Sequence, residues 1–151
     1  PERRRQNAAP AALPRPAAAP RPPEPTGVAF ADPALEACVR RALGQPGGPL
    51  APALVARLRS LDCATPEGGD PDVQDLRGIE ALTGLERLDL SFNAIADIGP
   101  LAELRNLREL RLTGNRIRDI SPIARLPASC AIDLRQNPIA DITPLLRRTR
   151  R

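Results

Sequence analysis

Three asparagines, Asn93, Asn115 and Asn137, stand 22 residues apart, and a set of apolar positions keeps the same interval. Leu88, Leu110 and Ile132 share one phase of the period, and Leu90, Leu112 and Leu134 share a second. Ile95, Ile117 and Ile139 hold a third, then Ile98, Ile120 and Ile142, then Pro100, Pro122 and Pro144. A fixed period in the twenties marks a solenoid, because one such unit cannot bury its apolar side alone and must stack on its neighbours. That constraint directs the functional argument toward binding rather than catalysis.

Composition narrows the choice further. Phe30 and Phe92 are the only aromatic residues, so the core has to be built from Leu, Ile, Val and Ala. All 22 basic residues are Arg, and the chain has no His and no Met. With its many Ala and Pro, this bias is that of a GC-rich bacterial coding sequence. The net charge of +4 divides unevenly along the chain. Residues 1–27 carry five Arg against two Glu, and residues 147–151 carry four Arg. Residues 28–84 carry eight acids against five Arg, and residues 85–146 carry eight of each sign. Basic character is thus confined to the ends. A nucleic-acid interface needs Arg or Lys gathered on one face, usually with aromatic platforms for single strands, and the body offers neither. No run of 18 apolar residues exists, so we expect no transmembrane segment. Pro1 is not an initiator residue, and we expect a processed or trimmed chain.

Four regions follow from the pattern. Residues 1–27, with eight prolines, should be a disordered Pro/Ala/Arg-rich tether, since such a segment buries too little apolar surface to offset its ordering entropy. Residues 28–59 read as a helical N-terminal cap. Asp32-Pro33 offers an N-cap with Pro in the first turn, Leu35, Cys38, Val39 and Leu43 form a stripe at helical spacing, and Gly44 ends it. A second short helix is expected over Leu50 to Arg59. Residues 60–146 hold one degenerate repeat and about three regular ones, with Pro66 to Pro71 as an insertion in the first. Residues 147–151 form a basic C-terminal tail.

Within a repeat, Leu88 and Leu90 should point inward from a short strand and leave alternate residues on the concave surface. The Asn column (Asn93, Asn115, Asn137) sits where the chain leaves the strand. There a side-chain amide can bond open backbone groups of its own and adjoining turns. Ser121-Pro122 and Thr143-Pro144 read as N-cap and Pro pairs opening short helical turns on the convex side. Asp75, Asp97, Asp119 and Asp141 share a phase and should bond nearby backbone donors.

The spacing L-x-x-L-x-L-x-x-N-x-I, in Leu85–Ile95 and again in Leu107–Ile117, resembles the leucine-rich-repeat pattern. The longer run LERLDLSFNAIADIGPLAELRNLRELRLTGNRIRDISPIARL resembles the 22-residue repeats of bacterial internalin-like proteins, and a phosphatase-regulatory subfamily has a similar repeat. The upstream piece FADPALEACVRRALG resembles the helical N-cap of such proteins. The resemblance implies an α/β leucine-rich-repeat solenoid, with a short parallel sheet on the concave face, helical or 3-10 turns on the convex face, and an α-helical cap. It also implies a protein-interaction module, often secreted or surface-attached, although three good repeats make a small binding surface.

Catalysis has little to work with. Without His there is no Ser–His or Cys–His pair and no imidazole ligand, so we expect neither an enzyme, a cofactor nor a metal site. The cysteines show no C-x-x-C spacing. Cys38, on the inner face of the cap helix, and Cys63, beside the first strand, are either disulfide-bonded or two small buried thiols in contact, and Cys130 is the odd one. The candidate partner-binding strip on the concave face comprises Arg87, Asp89, Ser91, Phe92, Glu109, Arg111, Thr113, Asp133 and Arg135. Stacking should place Arg87 beside Glu109, and Asp89, Arg111 and Asp133 in one row, where opposite charges can pair laterally. We therefore expect a non-enzymatic protein partner, in a secreted, periplasmic or cell-surface setting, with the cytoplasm still open. Two other readings fit: a structural spacer without a specific ligand, and an intracellular enzyme-regulatory subunit. Nothing obvious covers the last strand, so weak self-association through that edge is also expected.

Overall fold

The structure, a computed structural model, describes residues 27–69 and 72–149. Nearly all of the expected tether, the end of the expected insertion and the last two residues of the expected tail lie outside them.

Helix α1 (Pro33–Leu43) begins where the sequence places it. Asp32 accepts the Ala34 N–H at 2.9 Å through one carboxylate oxygen, Pro33 occupies the first turn, and Gly44 ends the helix in the left-handed region. The second Asp32 oxygen accepts the N–H groups of Gln74 and Asp75 at 2.6 and 3.0 Å. One buried carboxylate therefore ties the start of α1 to the chain that follows the insertion. Leu35 and Val39 are fully buried. Helix α2 (Pro52–Val55) is far shorter than the Leu50 to Arg59 expected, because the chain turns at Ala56 and extends toward the first strand by Ser60.

Four strands, β1 (Ser60–Asp62), β2 (Arg87–Asp89), β3 (Glu109–Arg111) and β4 (Ala131–Asp133), form one parallel sheet in chain order. Leu61, Leu88, Leu110 and Ile132 are in register across it. The step from β2 to β3 and from β3 to β4 is the repeat interval of 22, whereas Ser60 pairs with Arg87, 27 residues on. The insertion therefore adds five residues between β1 and β2. Opposite the sheet, 3-10 segments Ile79–Ala81, Gly99–Glu103 and Ser121–Arg125 stack on one another, and helix α3 (Thr143–Thr149) packs on the last.

Between these layers run the columns of Leu and Ile. Leu88, Leu90, Ile95, Ile98, Leu101, Leu110, Leu112, Ile117, Ile120 and Ile123 are each at most 1% exposed. Full burial of one such side chain contributes roughly 1.5–3 kcal/mol. Cys38 and Cys63 form a disulfide that joins α1 to the residue after β1. Closing that 25-residue separation is worth about 3–4 kcal/mol in the chain-entropy model.

The Asn column is scaffold. Asn115 donates its amide to the Leu90 and Leu112 carbonyls, both at 3.0 Å, and accepts the Ile95 N–H at 3.1 Å. Asn93 and Asn137 repeat the scheme, Asn93 reaching across the insertion to the Cys63 carbonyl. The Asp column works on the convex side. Asp119 and Asp141 each accept the N–H and hydroxyl of the residue two ahead, Ser121 and Thr143. Those hydroxyls donate to the aspartates, so the capping oxygen is carboxylate where the sequence suggested Ser and Thr.

Candidate functional site

The strands' alternation decides what reaches the concave surface. With Leu88, Leu110 and Ile132 directed inward, Arg87 and Asp89, Glu109 and Arg111, and Ala131 and Asp133 face out. Parallel register aligns Asp62, Asp89, Arg111 and Asp133 in one row, and Ser60, Arg87, Glu109 and Ala131 in the next. The repeat pattern does not mark Asp62 as a member of this row, because the insertion shifts it out of phase.

The expected lateral pairing holds at one point only. Arg111 approaches Asp89 of the neighbouring strand at 3.9 Å, while its closer contact, 3.0 Å, is Glu109 on its own strand. Arg135 likewise turns back on Asp133 at 2.7 Å. Glu109 and Arg111, two apart on β3, share a face, and Arg135 folds back on Asp133 from the turn that follows β4. Arg87 stands opposite Glu109 but makes no ion pair among the described residues. The pairing of Arg87 with Glu109 drawn from the register is therefore corrected, since Glu109 is taken by Arg111.

Asp133 carries the strongest electrostatic signature of the strip. Bonds from the Arg135 guanidinium hold its carboxyl down at about 2, against the opposing effect of partial burial, with help from the Arg135 N–H and the Thr113 hydroxyl. It is ionised at any pH a cell experiences.

At the C-terminal ends of the strands the surface deepens. An open concavity of about 720 Å3 lies between Asp89, Arg111 and Asp133 and the rim formed by Ala64, Thr65, Pro66 and Glu67. Phe92, Thr113, Arg135 and Gln136 complete it. Ser91, read as an outward contact, is only 7% exposed, because its carbonyl accepts the Thr65 N–H and its N–H donates to Asp89. The rim loop is not legible in the sequence as part of this surface, since it runs into the insertion that starts at Pro66.

Phe92, Gly114 and Gln136, again 22 residues apart, all adopt positive φ (58°, 71° and 59°). Each precedes the Asn of its repeat and turns the chain off the strand. The Gly at 114 is the one visible signal for this column, since a residue without Cβ enters that region freely. Phe92 bears steric strain to be there, and its half-buried ring borders the concavity. Among the described residues no group of three or more Cys, Asp or Glu stands close enough to hold a metal ion.

Comparison with known proteins agrees with this architecture. A family model described as leucine-rich repeats, two copies, matches residues 73–125. An internalin (inlF) from Listeria monocytogenes superposes with a TM-score of 0.72 at 31% identity, covering 83% of this chain and 36% of its own. Internalin C2 (inlC2) of the same organism gives 0.72 at 34% identity, covering 82% of this chain and 53% of its own. The functional domain of InlJ, also from Listeria monocytogenes, gives 0.64 at 25% identity over 76% of this chain and 25% of its own. The chain thus spans between a third and about half of the first two structures. No curated protein sequence matches it significantly.

Proposed function

The chain is an internalin-like leucine-rich-repeat protein, and from that premise we propose that it binds a protein partner through its concave face, without catalysing a reaction on it. Folds of this kind serve protein–protein interaction. The observation that supports the reading here is the concavity beside Phe92, where an exposed Arg111 stands between two acids and a half-buried aromatic edge adjoins it. Polar groups around an apolar anchor are what a small protein interface needs. The binding residues in this reading are Arg87, Asp89, Phe92, Glu109, Arg111, Thr113, Asp133 and Arg135, with Ser91 contributing mainly to the wall. Residues 28–59 act as the cap and 60–146 as the repeats that present the strip.

The same reading places the protein outside the cytoplasm, secreted, periplasmic or at the cell surface. Its support is the Cys38–Cys63 disulfide, a bond that persists in oxidising compartments. No helix among the described residues is long and apolar enough to cross a membrane.

A spacer without a specific ligand is the second reading, favoured by the local pairs Glu109–Arg111 and Asp133–Arg135, which neutralise much of the strip. Charge reversal separates the two. Arg111→Glu with Asp133→Arg abolishes capture of a bound partner if the strip is the interface. Unchanged capture by that variant would contradict concave binding.

A further inference from the structure

The chain closes one kind of turn on itself twice and leaves it open on the concave face. Asp75-Leu76-Arg77 and Asp133-Leu134-Arg135 share both sequence and geometry. In each, one aspartate oxygen accepts the N–H of the arginine two residues ahead, at 2.9 and 3.1 Å. The guanidinium then folds back on the same carboxylate. Its Nη2 lies 2.6 and 2.7 Å from the second oxygen. Its Nε spans both oxygens at 3.1 and 2.9 Å in the first turn, and at 3.0 and 3.2 Å in the second. Two donors of a planar fork on one carboxylate make the strong form of this pair.

Asp89-Leu90-Ser91 has the turn without the arginine. Asp89 Oδ1 accepts the Ser91 N–H at 2.9 Å, as in the other two. Its Oδ2 meets only Arg111, whose Nη1 stays at 3.9 Å while its Nε bonds Glu109 at 3.0 Å. At 3.9 Å there is attraction but no hydrogen bond. The Ser91 hydroxyl is open as well. Ser91 is 7% exposed, lines the concavity beside Asp89 and Phe92, and its Oγ meets no partner among the described residues. A buried polar group without a partner is destabilising, and a ligand that supplies one relieves that cost. Asp62, opposite Asp89 in the register, is also open: it accepts the Ala64 N–H at 3.0 Å and pairs with no cation among the described residues. Like charges on adjoining strands repel, and a positive group between them removes the repulsion.

We propose that Asp89 and Ser91 receive an arginine side chain of the protein partner, which completes from outside the turn that Arg77 and Arg135 complete from within. The inference rests on the concave face being the docking surface. An incoming guanidinium sets one N–H on Asp89 Oδ2 and has a second for the Ser91 hydroxyl. The half-buried Phe92 ring borders the same place and suits the flat, weakly hydrated face of that group. Arg111 is held toward Glu109, which leaves the Glu67 side of the concavity to the entering cation. An ammonium is a compact point charge without the coplanar fork, so arginine is preferred to lysine.

Titration of the isotope-labelled whole chain with the peptide acetyl-Gly-Arg-Gly-amide, followed by amide NMR shifts, tests the site. The Ser91 and Phe92 amides should move and saturate with a Kd on the order of 1 mM, and the matching lysine peptide should bind about fivefold more weakly or worse. Asp89→Asn keeps an acceptor for the Ser91 N–H, and so the turn, but should weaken the arginine peptide about tenfold. Ser91→Arg supplies the missing guanidinium from within and should abolish the titration. No saturable movement at Ser91, equal binding of the lysine peptide, or undiminished binding by Asp89→Asn would each overturn the proposal. Partner capture by a crosslinker at position 111 separates this claim from the one beneath it. Capture that persists undiminished in Asp89→Asn overturns the arginine site alone, whereas no capture in either chain contradicts the concave reading on which it rests.

Discussion

The ring of Phe92 lies so close over Gly114 that a Cβ on the glycine would stand 2.5 Å from the ring's Cδ1 and 2.8 Å from its Cε1. The contact joins two successive members of the left-handed column at the rim of the concavity, and both backbones hold positive φ.

Gly114→Ala should therefore destabilise the fold by roughly 1–3 kcal/mol, from the left-handed backbone and from the displaced ring. Phe92→Ala in the same chain removes the steric part. The double variant should melt at a higher temperature than Gly114→Ala alone, a comparison that thermal unfolding followed by circular dichroism makes directly.

Asn115 is buried and Asn137 is half-exposed, although they make the same set of bonds. Asn115→Ala leaves the Ile95 N–H without a partner inside the solenoid, while the Leu90 and Leu112 carbonyls keep their bonds from Asn93 and Asn137, and should cost about 1–3 kcal/mol. Asn137→Ala opens groups that water can reach and should cost about 1 kcal/mol. Urea titration of the two variants ranks them.

The 22-residue period alone makes this column legible. Strict spacing carries a residue into the same environment in each turn, so Asn93, Asn115 and Asn137 occupy equivalent places, as do the Leu and Ile phases. What breaks the period is harder to read. Five inserted residues move Asp62 and the Thr65 rim out of phase with their counterparts, and both face the concavity or its charged row. The left-handed column stays hidden because Phe92 and Gln136 do not announce positive φ, whereas Gly114 does. The ion pairs escape the pattern for a different reason. Register fixes which residues are neighbours, but the reach of an arginine side chain selects among them, and Arg111 and Arg135 each turn to the acid two residues before them.

Reduction of Cys38–Cys63 should lower stability by about 3–4 kcal/mol while Leu35 and Val39 keep α1 packed on the core. Cys38→Ser with Cys63→Ser should reproduce that loss and become insensitive to reductant. Scanning calorimetry with and without a reducing agent checks both statements.

Acid should destabilise the protein through its tethered carboxylates. Burial alone would raise the Asp32 pKa, but N–H donors from Gln74, Asp75, Ala34 and Leu35 together bring it below its ordinary 3.8. Asp133 is held at about 2. A carboxylate whose pKa is lower in the folded chain favours that state whenever it is ionised. Its contribution is complete above the unfolded value of 3.8 and disappears as the pH falls through about 2. Stability should therefore decline between about pH 5 and pH 2, and Asp133→Asn should flatten that slope without affecting the Asp32 share. Urea midpoints measured across this range report it.

Concave binding is tested most directly by placing a photo-crosslinking residue at Arg111, and separately at Arg125 on the convex 3-10 segment, and exposing each to the proteins of the producing cell. Capture from Arg111 should yield one discrete heteromeric adduct, distinguished by mass from a dimer of the chain, and Arg125 should yield none. Equal capture from both positions, or none from Arg111, would contradict a partner on the concave face.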